Sequence, residues 1–210
     1  MMERGSGAAR GAASPVVLAS RSPRRVDILR AMGVAHVTDP ADVDETPLAG
    51  ESPVAHAVRL ARAKAETVVA RRGPGEVVLG ADTTIDLDGA ILGQPRDDAE
   101  ARRMLRALSG RAHRVVTAVC VRVAGGEGGE GHDLAVVVMR PLDEALVDWY
   151  VATGEPRGKA GAYAVQGRGA ALVASVRGAQ STVVGLPVAL TARLLGAHRV
   201  LGLAGGEGRQ

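Results

Sequence analysis

Aromatic residues are nearly missing from this 210-residue chain, which has no Phe, one Trp and two Tyr. A core built without them must be aliphatic and alanine-rich. Binding of single-stranded nucleic acid by stacking bases on aromatic platforms is excluded with them. Cys120 is the single cysteine, so no internal disulfide forms, and no Cys or His pair has zinc-site spacing. No run approaches about 18 consecutive apolar residues, so no membrane span is expected. Residues 1–14 contain Arg4 and Arg10 but no apolar signal core. They read as a disordered extension, residues 204–210 as a flexible tail, and residues 15–203 as one domain. A reducing cytoplasm is the expected compartment.

Lysine is also scarce: of 26 basic residues, 24 are arginine, and the two lysines are Lys64 and Lys159. In so arginine-biased a chain each remaining Lys poses the question of what a compact ammonium does there that a guanidinium cannot. The basic residues are balanced by 23 acidic ones and the net charge is +3. Charge therefore gives a mild preference for anions and no argument for DNA binding. Hydrophobic residues at 46% suffice for a globular core.

Strand and helix signals alternate along the chain. Val16 to Ala19 reads as a buried strand, and Ser22-Pro23 as the cap and first-turn proline of a helix to about Met32. A short strand at 34–37 precedes an acidic loop, Asp39 to Glu45. Ser52-Pro53 then starts a long helix to about Arg72 that carries Lys64. Val77 to Gly80 reads as a central strand, continued by Thr83 to Leu87 and turned by Asp88-Gly89 into Ile91-Leu92. Asp97 or Asp98 caps a helix ending at Ser109-Gly110. Strands at 115–123 and 134–139 flank a Gly-rich loop, 124–132. A helix over about 143–152, a Gly-rich stretch to Gln166, a strand at 170–176 and a last helix from Pro187 complete the order. This alternation predicts an α/β fold with a mixed twisted sheet flanked by helices.

Several familiar motifs fail. Gly126 to Gly131 satisfies GxGxxG, yet it lies between two predicted strands and places two glutamates where a pyrophosphate would sit. The chain has no GxxxxGK[ST] loop, GxSxG elbow or HExxH pair. Cys120, in a predicted core strand, reads as a small hydrophobe.

Two signals hold. In Leu18-Ala19-Ser20-Arg21-Ser22-Pro23-Arg24-Arg25 a buried strand runs through small hydroxyl residues into a helix whose free N–H groups favour an anion. Arg24 and Arg25 stand at that same point, and bidentate guanidiniums suit an oligophosphate. The plainer alternative, a solvated basic first turn, sets two cations against the helix dipole. In Gly80-Ala81-Asp82-Thr83-Thr84 a carboxylate follows an apolar run, at the end of a buried strand where open α/β sheets bind ligands. Asp82 is there a candidate base or metal ligand, or a turn-forming Asp. Asp44 and Glu45 add oxygen ligands suited to Mg²⁺ or Mn²⁺, or form an ordinary solvated loop. Together these features point to phosphoryl chemistry on a nucleotide-like substrate.

At these residues the chain resembles the Maf family of nucleoside triphosphate pyrophosphatases, the septum-formation-inhibitor-like proteins. The likeness runs from Val16 to about Leu195 through four ordered blocks: 18–25, Gly80 to Thr83, Leu105 to His113, and Lys159 to Gly167 followed by Val184-Gly185-Leu186-Pro187. The resemblance implies an architecture like that of the inosine triphosphatases, with a cleft between two lobes. It also implies hydrolysis of a nucleoside triphosphate to the monophosphate and pyrophosphate, with a divalent metal, in the cytoplasm and often by a homodimer. Position by position, it makes Asp82 the proton acceptor and a metal ligand with Glu45. Ser20, Arg25 and Lys64 fall at the phosphate and metal site, and Lys159 in the fourth block. Arg24, Thr83 and Gln166 match the positions that tune substrate choice.

This combination looks like the branch acting on dTTP and UTP, because a Gln amide offers an acceptor and donors to the imide edge of uracil or thymine. The branch acting on 7-methyl-GTP has Trp at the position of Arg24. One departure stands out: where the family has Lys, this chain has Gln94 at the expected triphosphate site. That loss of charge favours a rival reading, a non-catalytic nucleotide-binding regulator of septation or cell division.

Overall fold

The structure, a computed structural model, describes residues 14–198. The expected extension, apart from Ser14, the tail, and the domain end at 199–203 lie outside the described residues. Seven strands form one mixed sheet: β1 (Val16–Leu18), β2 (His36–Thr38), β3 (Val77–Leu87), β4 (Ala90–Leu92), β5 (Ala112–Val123), β6 (Gly129–Met139) and β7 (Val173–Arg177). Their order is β2-β1-β3-β5-β6-β7, with β4 paired to β3. β1 runs parallel to β2 and β3, and the other pairs are antiparallel. The helices are α1 (Pro23–Ala31), α2 (Pro53–Val69), α3 (Asp98–Leu108), α4 (Glu144–Ala152), α5 (Gln180–Val184) and α6 (Val188–Ala197). The expected α/β class with a mixed, helix-flanked sheet is what the chain forms.

Side chains on a strand alternate between faces, so β3 serves two cores at once. Val78 joins Ala57, Ala61, Ala65 and Val68 of α2 on one face, while Leu79 and Ala81 join Leu29 of α1 and Leu194 of α6 on the other. Farther along β3, Ile85 and Leu87 enter a third core with α3 and α4. The chain thus makes two lobes along the same long strands, one around α1 and α6 and one around α3 and α4. With so few aromatics, both are filled by Leu, Val and Ala, with buried Tyr150 and Tyr163 in the second.

Four local expectations change. β3 is one unbroken 11-residue strand, so Asp82 sits inside it and not at a strand end. The break expected at Ala81-Asp82 does not occur because both residues pair with β5, Ala81 with Val119 and Asp82 with Ala118. The Gly-rich stretch is part strand: β6 starts at Gly129, leaving a turn of 124–128. Its glycines make room for a helix, since a Cβ on Gly129 would lie 3.1 Å from Leu194 Cδ2 and one on Gly131 3.0 Å from Leu190 Cδ1. The strand expected at 170–176 opens instead with a 3-10 turn, Gly167–Leu172, before β7. Five-residue α5, too short to show a period, was not anticipated. Asp97 proves to be the cap of α3, its carboxylate accepting from Glu100 N at 2.7 Å.

Gly80 sets how closely α2 lies on β3. A Cβ there would stand 2.2 Å from the Ala61 carbonyl oxygen and 2.8 Å from Ala65 N, both backbone atoms that cannot step aside. We expect Gly80→Ala to lower stability by about 3 kcal/mol through overpacking, measured as a shift of the urea midpoint. An unchanged midpoint would contradict this account of the contact.

Candidate active site

β1 ends its pairing with β3 at Leu79, and β4 begins its own at Ile85. Between them residues 80–84 of β3 present an open edge, flanked by both sheet faces. A cleft of about 560 Å³ lies over this edge and between the two lobes, as the resemblance implied. Alternation then divides the chemistry: Asp82 and Thr84 point to the α2 face, Thr83 to the α1 face.

On the α2 face Lys64 Nζ donates to Asp82 Oδ1 at 2.7 Å and lies 2.6 Å from Glu45 Oε1. Asp82 Oδ2 accepts from Thr84 Oγ1 at 3.2 Å. Three segments distant in sequence thus meet at one ammonium, which is buried with Asp82. The contact depends on the close approach of α2 at Gly80. It also answers the question the scarce lysines raised: a small point charge fits between two carboxylates where a planar fork does not.

The loop bringing Glu45 has no regular structure, and α2 together with the turn that follows it straps it down at both ends. Asp39 pairs with Arg71 and Arg72, while Glu51 takes bonds from Arg59 Nε at 2.6 Å and Nη2 at 2.8 Å and contacts His56 Nδ1 at 2.9 Å. The Arg59 guanidinium, first among several donors, holds the Glu51 carboxyl far below the ordinary carboxylate range. Nothing in the sequence singled out Glu51 or Arg59; their roles appear once the loop folds back along the helix.

On the opposite face Arg25, 9% exposed, reaches three elements. Its Nε donates to the Gly185 carbonyl at 2.8 Å, Nη1 to Ser20 Oγ at 3.0 Å and Nη2 to Thr83 Oγ1 at 3.2 Å. Burial pushes its pKa below the usual arginine value, and the charge on Asp82 opposes that shift. Thr83 Oγ1 also meets Thr117 Oγ1 at 2.9 Å, and Thr117 donates to the Thr182 carbonyl at 2.7 Å, so a hydroxyl chain ties β3 and β5 to α5. Arg24 Nε donates to the Val184 carbonyl at 3.3 Å. Ser22 occupies the cap position of α1 without a side-chain cap bond, and Ser22, Arg24 and Arg25 all line the cleft, so the uncapped first turn borders it.

Of the residues singled out from the sequence, Arg24, Arg25, Glu45, Asp82, Thr83, Gln94, Lys159 and Gln166 line this cleft. Ser20 and Lys64 stand a layer behind it, Ser20 against Arg25 and Lys64 beneath the two carboxylates. Gln94 and Gln166 are exposed at the cleft wall. Lys159 Nζ donates to the Glu155 main-chain oxygen, and burial lowers its pKa from the ordinary lysine value. Asp44 also lines the cleft, with Oδ1 accepting from Thr46 N at 2.9 Å.

Cys120 is buried in β5, and its thiol is pushed up to about 12 by burial, which removes it as a nucleophile. The GxGxxG segment lies in the β5–β6 turn and the start of β6, and none of it borders the cleft.

Residues 15–198 match the family described as Maf-like protein. A dTTP/UTP pyrophosphatase of Anaeromyxobacter dehalogenans is 54% identical over 183 residues, covering 86% of this chain and 92% of that one. Proteins of the same description from Myxococcus xanthus, 49% identical over 86% of this chain and 90% of that one, and Symbiobacterium thermophilum, 48% identical over 86% and 92%, are similar throughout. A solved HAM1 protein from Coxiella burnetii overlaps at a TM-score of 0.41 and 19% identity over 60% of this chain and 72% of that one, too slight a likeness to bear on the site. With the match spanning the sheet, the cleft and every segment that meets in it, the chain belongs to the Maf family.

Proposed function

We propose that this protein hydrolyses dTTP and UTP to the monophosphate and pyrophosphate, with Asp82 as the base that activates water. The observation that carries the reading is the convergence of Asp82, Glu45 and Lys64 beside Arg24 and Arg25 across one open strand edge. Relatives about half identical over nearly the whole chain bear the dTTP/UTP pyrophosphatase description.

The reaction needs water placed in line with a phosphoryl group and negative charge neutralised around it. Arg24, Arg25 and the first-turn N–H groups of α1 take the phosphate chain. Asp82 accepts the water proton as the water oxygen bonds to the α-phosphorus, and the bond from that phosphorus to the bridging oxygen breaks, releasing pyrophosphate. Lys64, donating to Asp82 Oδ1 at 2.7 Å, fixes the direction of the carboxylate.

A divalent cation fits the donors present. Glu45 and Asp82 both line the cleft, each with one oxygen on Lys64 Nζ, and hard oxygen donors suit Mg²⁺ or Mn²⁺. Among the described residues no three His, Cys, Asp or Glu side chains group as a metal cage. Glu45 and Asp82 would therefore hold the ion together with substrate phosphate oxygens, and the bound metal would supply charge neutralisation and polarisation of the phosphoryl group.

On the base side, Gln166 and Thr83 are the groups suited to an imide edge. A cytoplasmic setting agrees with a lone buried thiol, and no helix among the described residues is long and apolar enough to cross a membrane. Pyrophosphate release across dTTP, UTP, dCTP and 7-methyl-GTP with Mg²⁺ or Mn²⁺ tests the reading. Binding without release from any of them would replace it with the regulator.

Gln94 stands at the cleft wall exposed to water, so a charge placed there is screened. Gln94→Lys is expected to lower KM for dTTP about two- to fivefold with kcat little changed. A KM equal to or above that of the parent enzyme would remove position 94 from the phosphate site.

A further inference from the structure

Lys159 and Gln166 reach the cleft on a loop that joins α4 to β7 and has no sheet pairing, being built around two 3-10 turns, Ala160–Ala162 and Gly167–Leu172. A polar cluster behind the cleft holds it. The Tyr150 side chain, at the end of α4, has no exposed surface. Its hydroxyl accepts from Ala164 N at 3.0 Å and donates to Glu155 Oε1 at 3.1 Å. Glu155 Oε1 accepts again from Gly169 N at 3.0 Å, and Oε2 accepts from Arg168 N at 3.1 Å. The backbone on both sides of Gln166 is therefore bonded to one pair of side chains.

The fit leaves no room for slack. A Cβ on Gly169 would lie 2.2 Å from the Ala164 carbonyl oxygen and 2.7 Å from the Tyr150 hydroxyl. Glu155 also gives its main-chain oxygen to Lys159 Nζ. Its carboxylate charge favours the protonated forms of Arg24 and Lys159 against the burial that opposes them. Neither Tyr150 nor Glu155 touches the cleft.

We propose that Tyr150 and Glu155 are positioning residues that set which base the cleft accepts, by fixing the loop that carries Lys159 and Gln166. This rests on the pyrophosphatase reading for the identity of the substrate. Tyr150→Phe deletes one oxygen, which takes from Ala164 N its acceptor and leaves Glu155 Oε1 with Gly169 N alone. Glu155→Gln keeps the shape but turns an NH₂ toward N–H donors, so at least one bond is lost. Calorimetry with non-hydrolysable α,β-methylene analogues of dTTP and dCTP requires no turnover and so separates this proposal from the catalytic one.

Each variant is expected to bind the dTTP analogue about tenfold more weakly, with the preference for it over the dCTP analogue falling by a similar factor. In turnover KM should rise with kcat within about twofold, as for a lost positioning contact away from the reacting atoms. Folded variants that keep the parent affinity and preference would overturn the proposal, as would a parent protein that binds neither analogue. Should neither variant fold, amide exchange in the unaltered protein decides: slow exchange at Ala164 and Gly169 supports the cluster, and exchange at the rate of a free loop overturns it.

Discussion

Asp82→Asn is expected to reduce pyrophosphate release about a thousandfold while the protein stays folded. The amide has the size of the carboxylate and keeps an oxygen for Lys64 Nζ, now 2.7 Å away. What it loses is the capacity to accept a proton and the charge that balances a buried ammonium. Lys64 retains Glu45 Oε1 at 2.6 Å, so the ammonium is not left alone. Nucleotide binding, governed by Arg24, Arg25 and the α1 N-terminus on the other side of the strand edge, should change far less than kcat. The measurement is kcat for dTTP beside calorimetric affinity for a non-hydrolysable analogue. A kcat within tenfold of the parent would remove Asp82 from the role of base.

Arg25→Lys separates anion grip from proton transfer. One guanidinium serves the Gly185 carbonyl, Ser20 Oγ and Thr83 Oγ1 in three directions, and an ammonium on a shorter reach cannot satisfy all three. Ser20 Oγ keeps its bond from Ser22 N and Thr83 Oγ1 keeps Thr117, so the Gly185 carbonyl bears most of the loss. Breaking a charge-assisted bond in this buried place should cost about 2 kcal/mol of stability. Because the same fork fixes the cleft wall formed by α1 and the residues around Gly185, kcat/KM for dTTP is expected to fall about a hundredfold, mainly through KM. A lysine variant with parental kcat/KM would show that the cation, and not its geometry, is what the site needs.

Much of this was legible in the primary structure. Ser52-Pro53 marked the start of α2, and Ser52 Oγ does cap it, accepting from Ala55 N at 3.2 Å. Asp88-Gly89 marked the β3–β4 hairpin, with Asp88 and Gly89 both at positive φ. Other features read wrongly for identifiable reasons. Asp82 suggested a strand end because a carboxylate inside a buried strand is costly, and that reasoning could not include Lys64 arriving from 18 residues away. The Gly-rich segment suggested a loop because glycine is poor in strands, yet here it spares space for Leu190 and Leu194 of α6. Ser22 suggested a side-chain cap and makes none. Tyr150 and Glu155 gave no signal, since a hydroxyl and a carboxylate at that spacing are ordinary at a helix end.

The sequence by itself determined the alternation of strands and helices, the aliphatic makeup of the core and the residue types available to the site. Those follow from periodicity, turn chemistry and composition, which act over a few residues. The tertiary structure alone decided that β1 and β4 leave residues 80–84 of β3 uncovered between them, so that Asp82 and Thr83 open onto one cleft from opposite faces. It also decided that a helix laid against Gly80 puts Lys64 between Asp82 and Glu45. Both are matters of packing between segments far apart in the chain, where the distance across a sheet edge, and not the spacing along the backbone, sets which charges meet.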